Sequence, residues 1–561
     1  MPTAFVNNQE IELKDKEQLN CIQAAARVGF EIPSYCWHPA LSVVASCRMC
    51  LVEVGEKKPD GTIVMRPKLE PGCQTPVKDN MVVVADSPKV KAAQQATLEY
   101  LLLNHPLDCP TCDQAGECGL QDYSYKYGRG YSRLQEPKNI KPDKDHIGDQ
   151  ITLFTDRCIM CTRCVRFTRE YSGTSELQVV SRGSEEEIDI FPGRPCNNKL
   201  AGNVVDLCPV GALCSKDFLY KQRVWWLKDA NSVCPNCSTG CSVHVDQNDD
   251  RVYRLTPRTN PMAQGHFMCD EGRFGWKYIH DERRLTFPIR RKNGDVRSRD
   301  WDDILPSLDK ALTKALTKAG DRCAAIFSPW MTVEEAYMLA SYLHGLSPKV
   351  RMALGPVRVE GEDDQYPKDF YGRVKEPVRF TIRAEKAPNR RGVSMVLEHF
   401  GARSTYGDVV AQAASGGLDA LYAVGGDPAG WLEPPHAGAL AKVELTVVQD
   451  ILPSPLSEQA DYVLTGGSFA ERDGSFVNYK GLAQQIHRSI RTPDGARPDG
   501  RILWDLSGRR GLFNAATVRK EMASKIPAFK AFDNGALGEF GVLLNVHGAP
   551  EPHVVAAGTR T

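Results

Sequence analysis

Residues 156–167 read DRCIMCTRCVRF, and residues 202–213 read GNVVDLCPVGAL. Together they supply Cys158, Cys161, Cys164 and the remote Cys208, a C-x2-C-x2-C run completed by a Cys-Pro. In that pattern three thiolates line one end of a 4Fe-4S cubane and the fourth arrives from elsewhere in the chain. Where two such triplets occur, the fourth cysteine serves the neighbouring cluster. This segment has one triplet, so Cys208 is expected to close its own cage. Cys196 and Cys214 compete for that place, although neither precedes a proline.

Upstream, residues 105–121 read HPLDCPTCDQAGECGLQ, in which His105 stands four positions before Cys109, with Cys112 and Cys118 following. The spacing is that of a second four-ligand cluster with one imidazole. Replacing a thiolate by histidine removes one negative charge from the site, which raises a cluster's potential. Nearer the N-terminus, Cys36, Cys47 and Cys50 in SYCWHPALSVVASCRMCLVEV and Cys73 in EPGCQTPV look like a plant-type ferredoxin loop holding a 2Fe-2S centre, with a longer first gap. The flanking sequence predicts a β-grasp domain: AFVNNQEIEL reads as a hairpin with an Asn-Asn turn, QLNCIQAAARVGF as a helix, and LVEV and MVVVAD as strands.

Downstream, Cys234, Cys237 and Cys241 in SVCPNCSTGCSV are joined by Cys269 in GHFMCDEGRFGW. Zinc is the rival here, because four-cysteine zinc sites also use C-x2-C pairs. Zinc sites usually pair two such knuckles, whereas three thiolates from one loop and one from afar favour a 4Fe-4S cluster. Amides in the glycine-rich ligand loops, at Gly116, Gly119 and Gly240, are expected to donate to cluster sulfurs. The remaining Cys21, Cys196, Cys214 and Cys323 read as buried apolar residues. A disulfide framework is not expected in a chain this long with metal-site spacings.

At 561 residues and 42% hydrophobic content the chain is long enough for several ordinary cores. Lysine plus arginine equals aspartate plus glutamate at 70 each, which argues against a nucleic-acid binder. No signal-peptide pattern opens the sequence and no run of eighteen apolar residues occurs, so a soluble intracellular protein is expected, touching a membrane only through partner subunits. The organisation expected is multidomain, α+β and then α/β: a 2Fe-2S ferredoxin-type domain over 1–80, a His/Cys-ligated 4Fe-4S domain over 81–150, a ferredoxin-like 4Fe-4S domain over 151–225, a further 4Fe-4S domain over 226–285, and an α/β domain over 286–561. Tyr123, Tyr125, Tyr127 and Tyr131 are expected to pack over a cluster, and EPKNIKPDKDHIGDQ (136–150) reads as a polar linker. In the last region, AAIFSPWMTVEEAYMLASYLHGL predicts strand then helix, with Thr332 and Glu335 as a capping box. LDALYAVGGDP, VELTVVQD and ADYVLTG continue an alternation that implies a parallel sheet. Gly425 and Gly426 could cradle a phosphate, but a tight turn is the commoner use of such a pair.

These four motifs in this order, HPLDCPTCDQAGECGLQ and DRCIMCTRCVRF above all, resemble the large iron-sulfur subunits, of the G or 75 kDa type, of bacterial NADH-quinone oxidoreductase, which is respiratory complex I. The resemblance spans essentially the whole chain. It implies one 2Fe-2S and three 4Fe-4S clusters, no catalytic residue, and an electron relay fed by a flavin-containing, NADH-oxidising subunit and running toward quinone. The implied order is the centre on Cys36, Cys47, Cys50 and Cys73, then that on Cys158, Cys161, Cys164 and Cys208, then that involving His105, with the Cys234 centre off the main path. It also implies other complex I subunits as partners and a peripheral place on the cytoplasmic face of the bacterial inner membrane. The C-terminal half is similar to molybdopterin-binding domains of formate dehydrogenases, which makes the alpha subunit of an NAD-linked formate dehydrogenase the alternative. Against that stand Asp270 and Glu271, where those enzymes carry a lysine after the last cluster cysteine, and the lack of a further cysteine placed to bind molybdenum. A hydrogenase-diaphorase subunit is the third reading, and the long α/β half argues against it.

Overall fold

A computed structural model describes residues 2–15 and 17–544, and the chain divides into two compact units. Among the described residues, the first comprises 2–227 and 365–379, the second 228–364 and 380–544.

The first unit opens with the expected hairpin. Thr3–Val6 pairs antiparallel with Gln9–Glu12, and Asn7 and Asn8 turn the chain at φ 45° and 65°. A two-residue hairpin turn of primed type needs positive φ at both positions, which asparagine tolerates. Met81–Val84 lies parallel to Thr3–Val6 and antiparallel to Leu51–Lys57. The helix Cys21–Arg27 starts at Asn20, whose side chain accepts from the Gln23 amide while Gln23 reaches back to the Asn20 amide. It lays Cys21, Ala24 and Ala25 on Val52, Val54 and Val83, giving the β-grasp core.

Ser87 caps the helix Pro88–Leu102, which leads into the histidine-containing motif, and a second helix, Gly119–Tyr127, leaves it. Two of the four tyrosines pack on aromatic rings: Tyr123 lies 5.4 Å from the buried Tyr35 and 5.7 Å from Tyr127 between ring centroids. Tyr125 is exposed because on the helix it faces away from residues 123 and 127, and Tyr131, beyond the helix, is exposed too. Nor is 136–150 wholly a linker: Ile147 is buried, and Lys144 is buried in ion pairs with Glu187 and Asp189.

The second unit begins with an antiparallel sheet of Lys228–Val233, Ser242–Asn248 and Arg251–Pro257. Its main sheet has seven strands, five of them parallel, in the order Tyr462–Thr465, Leu445–Asp450, Ala420–Val424, Cys323–Phe327, Arg351–Leu354. Ile289–Lys292 and Asp295–Ser298 extend the Tyr462 edge antiparallel. In chain order the parallel strands run 2-1-3-4-5, the doubly wound arrangement, with its switch between Cys323–Phe327 and Ala420–Val424. Both faces are covered: Ala325, Phe327, Tyr422 and Val424 enter one core, and Ala324, Ile326, Leu421 and Ala423 the other. Burial on two sides explains why these strands read as continuous apolar runs. The helix Val333–Leu346 carries the expected Thr332/Glu335 capping box.

Candidate metal centres

The Cys36 group sits at one end of the β-grasp sheet. Cys50 immediately precedes the strand Leu51–Lys57, and the amide of Gly72, next to Cys73, donates to the Cys50 carbonyl at 2.8 Å. The intervening loop bends through Ala45 and Arg48 at φ 51° and 59°, gathering the thiols. Cys36 is within hydrogen-bonding range of Cys47 and Cys73, and Cys73 of Cys50. Those contacts and burial push Cys47 and Cys73 up, while Cys36 and Cys50 are pushed down by accepting from their neighbours. Four such thiols cannot all ionise without a cationic core between them.

Cys158, Cys161, Cys164 and Cys208 line one small cavity with Leu153 and Ile188. Met160 and Thr162 hold φ 49° and 59°, folding the triplet loop over this cavity, and the Met160 amide donates to the Cys158 sulfur at 3.4 Å. The Cys208 sulfur faces the amides of Leu213, Val210 and Ala212. Cys196 and Cys214, the rivals, do not line the cavity: Cys196 lies near Glu176 and Asn198, and Cys214 points to the Gly211 carbonyl. Burial pushes Cys158 up to about 12 and Cys161 to about 11, with neighbouring cysteines adding to the effect. A metal bound by thiols reverses this logic and deprotonates them outright.

In the His105 motif the amides of Thr111 and Cys112 both donate to the Asp108 carbonyl, closing the CPTC turn. Cys109, Cys112 and Cys118 lie within electrostatic reach of one another. The His105 imidazole is half-buried with Nδ1 lacking any hydrogen-bond partner, and burial lowers its pKa to about 4, aided by Lys138 and Arg157. A neutral imidazole with an orphaned nitrogen fits a metal ligand.

Cys234 follows the strand Lys228–Val233 and Cys241 precedes Ser242–Asn248, so the triplet fills a hairpin loop whose neck is the 2.8 Å bond from the Cys234 amide to the Cys241 carbonyl. Cys269 caps the helix Asp270–Phe274, its sulfur accepting from the Gly272 amide at 3.4 Å. All four thiols are buried.

The glycine expectation is corrected. Gly116 donates to the Gln121 side chain, Gly119 to the Pro209 carbonyl and Gly240 to the Cys237 carbonyl. Other amides of these loops face the sulfurs, including Gln114 at Cys112, Leu120 and Gln121 at Cys118, Asn236 at Cys234 and, among glycines, Gly272 at Cys269. Glycine also serves close approach. A Cβ at Gly211 would fall 2.1 Å from the Cys112 sulfur, and one at Gly272 2.7 Å from that of Cys234.

Arginines to which the motifs assign no role tie the ligand loops together. Arg157, beside Cys158, donates Nε and Nη2 to Asp108, beside Cys109, at 3.0 and 2.8 Å. Arg223 donates to the carbonyls of Cys109, Pro110 and Cys112 at 3.2, 2.8 and 3.0 Å. Arg163 and Arg166 bond the loops of the Cys36 and Cys158 groups. In the second unit Lys386, almost fully buried, ion-pairs with Glu271. A positive charge therefore does stand near the last cysteine, supplied from a distant loop and neutralised by Glu271.

At the carboxyl ends of the strands of the doubly wound sheet, Arg472 pairs with Glu335 and Asp499 at 3.1 and 3.3 Å, and Arg284 with Glu471 at 2.8 Å, all buried. The Asp450 carboxyl lies against Gly425, where a Cβ would meet its Oδ2 at 2.0 Å. Gly425 still pairs with the neighbouring strand through the Gln449 carbonyl and Gly426 holds φ 116°, the turn itself coming at 428–429, and a carboxylate beside the pair repels an anion. These residues do not fit a pterin dinucleotide, whose phosphates need unspent positive donors.

Comparison with known families gives five matches. Residues 3–88 match the 2Fe-2S iron-sulfur cluster binding domain, 94–133 the NADH-ubiquinone oxidoreductase-G iron-sulfur binding region and 148–214 the NADH-quinone oxidoreductase subunit 3 ferredoxin-like domain. Residues 227–281 match the molybdopterin oxidoreductase Fe4S4 domain and 390–509 the molybdopterin oxidoreductase family. The NADH-quinone oxidoreductase G subunit of Rickettsia felis is 37% identical over 341 residues, covering 61% of this chain and 48% of that protein. The NADH-ubiquinone oxidoreductase 75 kDa subunit of Reclinomonas americana is 36% identical over 366 residues, covering 65% and 51%. The mitochondrial NADH dehydrogenase (ubiquinone) iron-sulfur protein 1 of Solanum tuberosum is 38% identical over 301 residues, covering 54% and 39%. The chain spans about half the length of the curated relatives it matches, and these alignments cover less of it than the whole-chain resemblance expected. A solved NAD+-reducing nickel-iron hydrogenase matches at 23% identity and a TM-score of 0.33, over 40% of this chain and 91% of that one, too weakly to carry an argument. Through its cluster-bearing domains the chain is a homologue of the G-type and 75 kDa iron-sulfur proteins of NADH-quinone oxidoreductases, joined to a domain of molybdopterin-oxidoreductase type.

Proposed function

We propose that this chain is the iron-sulfur relay subunit of an NADH-quinone oxidoreductase, passing electrons from a flavin-containing, NADH-oxidising partner toward quinone. It holds a 2Fe-2S cluster on Cys36, Cys47, Cys50 and Cys73, and 4Fe-4S clusters on Cys158, Cys161, Cys164 and Cys208, on His105, Cys109, Cys112 and Cys118, and on Cys234, Cys237, Cys241 and Cys269. The observation that supports this reading is the succession of contacts between ligand loops in the first unit. Arg163 and Arg166 bond the Cys36 loop to the Cys158 group, while Cys208 leads through Pro209 to Gly211, which abuts Cys112. Electrons hop best between adjacent centres, so the order is 2Fe-2S, then the Cys158 cluster, then the His105 cluster.

The clusters supply the electron-storing chemistry; the protein fixes their spacing and tunes each by charge, hydrogen bonds and burial. No general acid, base or nucleophile is required. Among the described residues no helix is long and apolar enough to cross a membrane, and attachment to the cytoplasmic face of the inner membrane is through other subunits. Anaerobically purified protein is expected to hold about fourteen irons per chain in one 2Fe-2S and three 4Fe-4S centres. It should co-purify with a flavin subunit and quinone-reductase subunits. Zinc at Cys234 would remove that cluster, and formate-driven reduction of the centres would select the dehydrogenase alternative.

A further inference from the structure

The helix Arg163–Glu170 presents Arg163, Arg166 and Glu170 at i, i+3 and i+7, one face of the helix. All three reach the loop that begins at Cys36. Arg163 Nη2 donates to the Trp37 carbonyl at 2.6 Å, Arg166 donates to the carbonyls of Cys36 and Ser42, and Glu170 accepts from the Ser42 amide and hydroxyl at 3.0 and 2.7 Å. The same two arginines hold the other group: Arg166 Nη2 donates to the Cys161 carbonyl at 3.2 Å, and Arg163 Nη1 to the carbonyl of Leu207, next to Cys208, at 3.2 Å.

Arg166 is 1% exposed. The acceptors bonded to its guanidinium are three carbonyls and the Thr162 hydroxyl, all neutral. A buried cation bonded only to neutral groups is costly, and the charge lies within electrostatic reach of the Cys36 and Cys161 sulfurs. The counterparts that offset the cost are Glu170, one turn along the same helix, and the negative charge of the two thiolate-ligated centres on either side.

We propose that Arg166, seconded by Arg163, is a shared positioning and tuning residue for the Cys36 and Cys158 centres, its charge favouring the reduced state of both and its planar fork fixing their separation. This rests on reading those two cysteine sets as clusters. Arginine suits the task because five donors in a fixed plane can hold carbonyls of two loops at a set geometry, which the three rotatable donors of a lysine do not fix.

The test uses the full chain, purified anaerobically, with redox titration followed by electron paramagnetic resonance. Wild-type protein lacking the two centres would sink the cluster reading itself, separately from this inference. With the centres present, Arg166→Gln is expected to shift the reduced-to-oxidised ratio of both toward the oxidised form by on the order of tenfold, a midpoint lowered by about 59 mV for a one-electron couple, leaving the Cys234 centre unmoved. Arg166→Lys should restore both potentials to within about twofold yet change the magnetic coupling between the two reduced centres, because charge returns without the fork. A shift in one centre alone, an equal shift in every centre, or none would overturn the proposal. If the glutamine variant binds no iron, Arg163→Gln takes its place: lowered potentials at both centres support the inference, and unchanged ones overturn it.

Discussion

His105 is where residue chemistry sets a cluster property most directly. Its imidazole is half-buried, neutral at physiological pH and has an unpartnered Nδ1, so under the proposed reading it supplies a ligand without adding negative charge. His105→Cys is therefore expected to keep the cluster and lower its potential by at least about 60 mV, a tenfold change in a one-electron balance. His105→Ala should lose or destabilise that centre alone. An unchanged cluster in both variants, seen by redox titration, would return His105 to a packing role. Gly211 makes the complementary prediction. Alanine there would place a methyl group 2.1 Å from the Cys112 sulfur, so Gly211→Ala should deplete iron at the His105 centre, while alanine at Gly130, where a Cβ meets nothing within 4 Å, should not. Equal iron content in the two variants would show that the loop yields.

At the scale of elements, the hairpins and loops that carry thiols were legible because ligand spacing, turn residues and caps are local in sequence. Asn7–Asn8, the Thr332 capping box and the apolar runs of the parallel sheet all formed where pattern placed them. The arginine bridges were not legible, since Arg223 meets Cys112 across 111 residues and Arg166 meets Cys36 across 130. Nothing in the spacing of a lone arginine signals such a partner. The same blindness hid Lys386 and the acids at the sheet's carboxyl edge. Burial pushes the Asp450 carboxyl up to about 6, against hydrogen bonds from Trp431 and the Ile451 amide. A carboxyl whose folded pKa exceeds its unfolded value costs stability as pH rises toward the folded pKa, and the cost is flat above it. Asp450→Asn removes the pH-dependent part, so its stability relative to wild type should rise by about 1 kcal/mol between pH 5 and pH 8, levelling off near pH 7. Denaturant midpoints that move in parallel across this range would mean that Asp450 is ionised freely.

For the molecule as a whole, the decisive question is whether the doubly wound unit adds chemistry to the relay or only structure. Its family resemblance points to a molybdopterin site at the strand ends, which is where open parallel sheets bind ligands. Those ends carry Asp450, Asp499, Glu335 and Glu471, while Arg472 and Arg284 are committed to ion pairs within this group. An anionic dinucleotide entering there would have to break buried pairs, and breaking one by removing a partner's contact costs about 3–5 kcal/mol. Lys386, near the neighbouring cysteines, is neutralised by Glu271. We therefore expect the intact protein to contain no stoichiometric molybdenum or tungsten and no pterin, and its clusters to be reduced by NADH in the presence of the flavin partner but not by formate. Elemental analysis and pterin fluorescence of the purified complex check this directly. Stoichiometric metal together with formate-dependent bleaching of the clusters would overturn both the relay and the expectation that this unit adds only structure, because the strand ends would then have to open and release Arg472 and Arg284 to the phosphates.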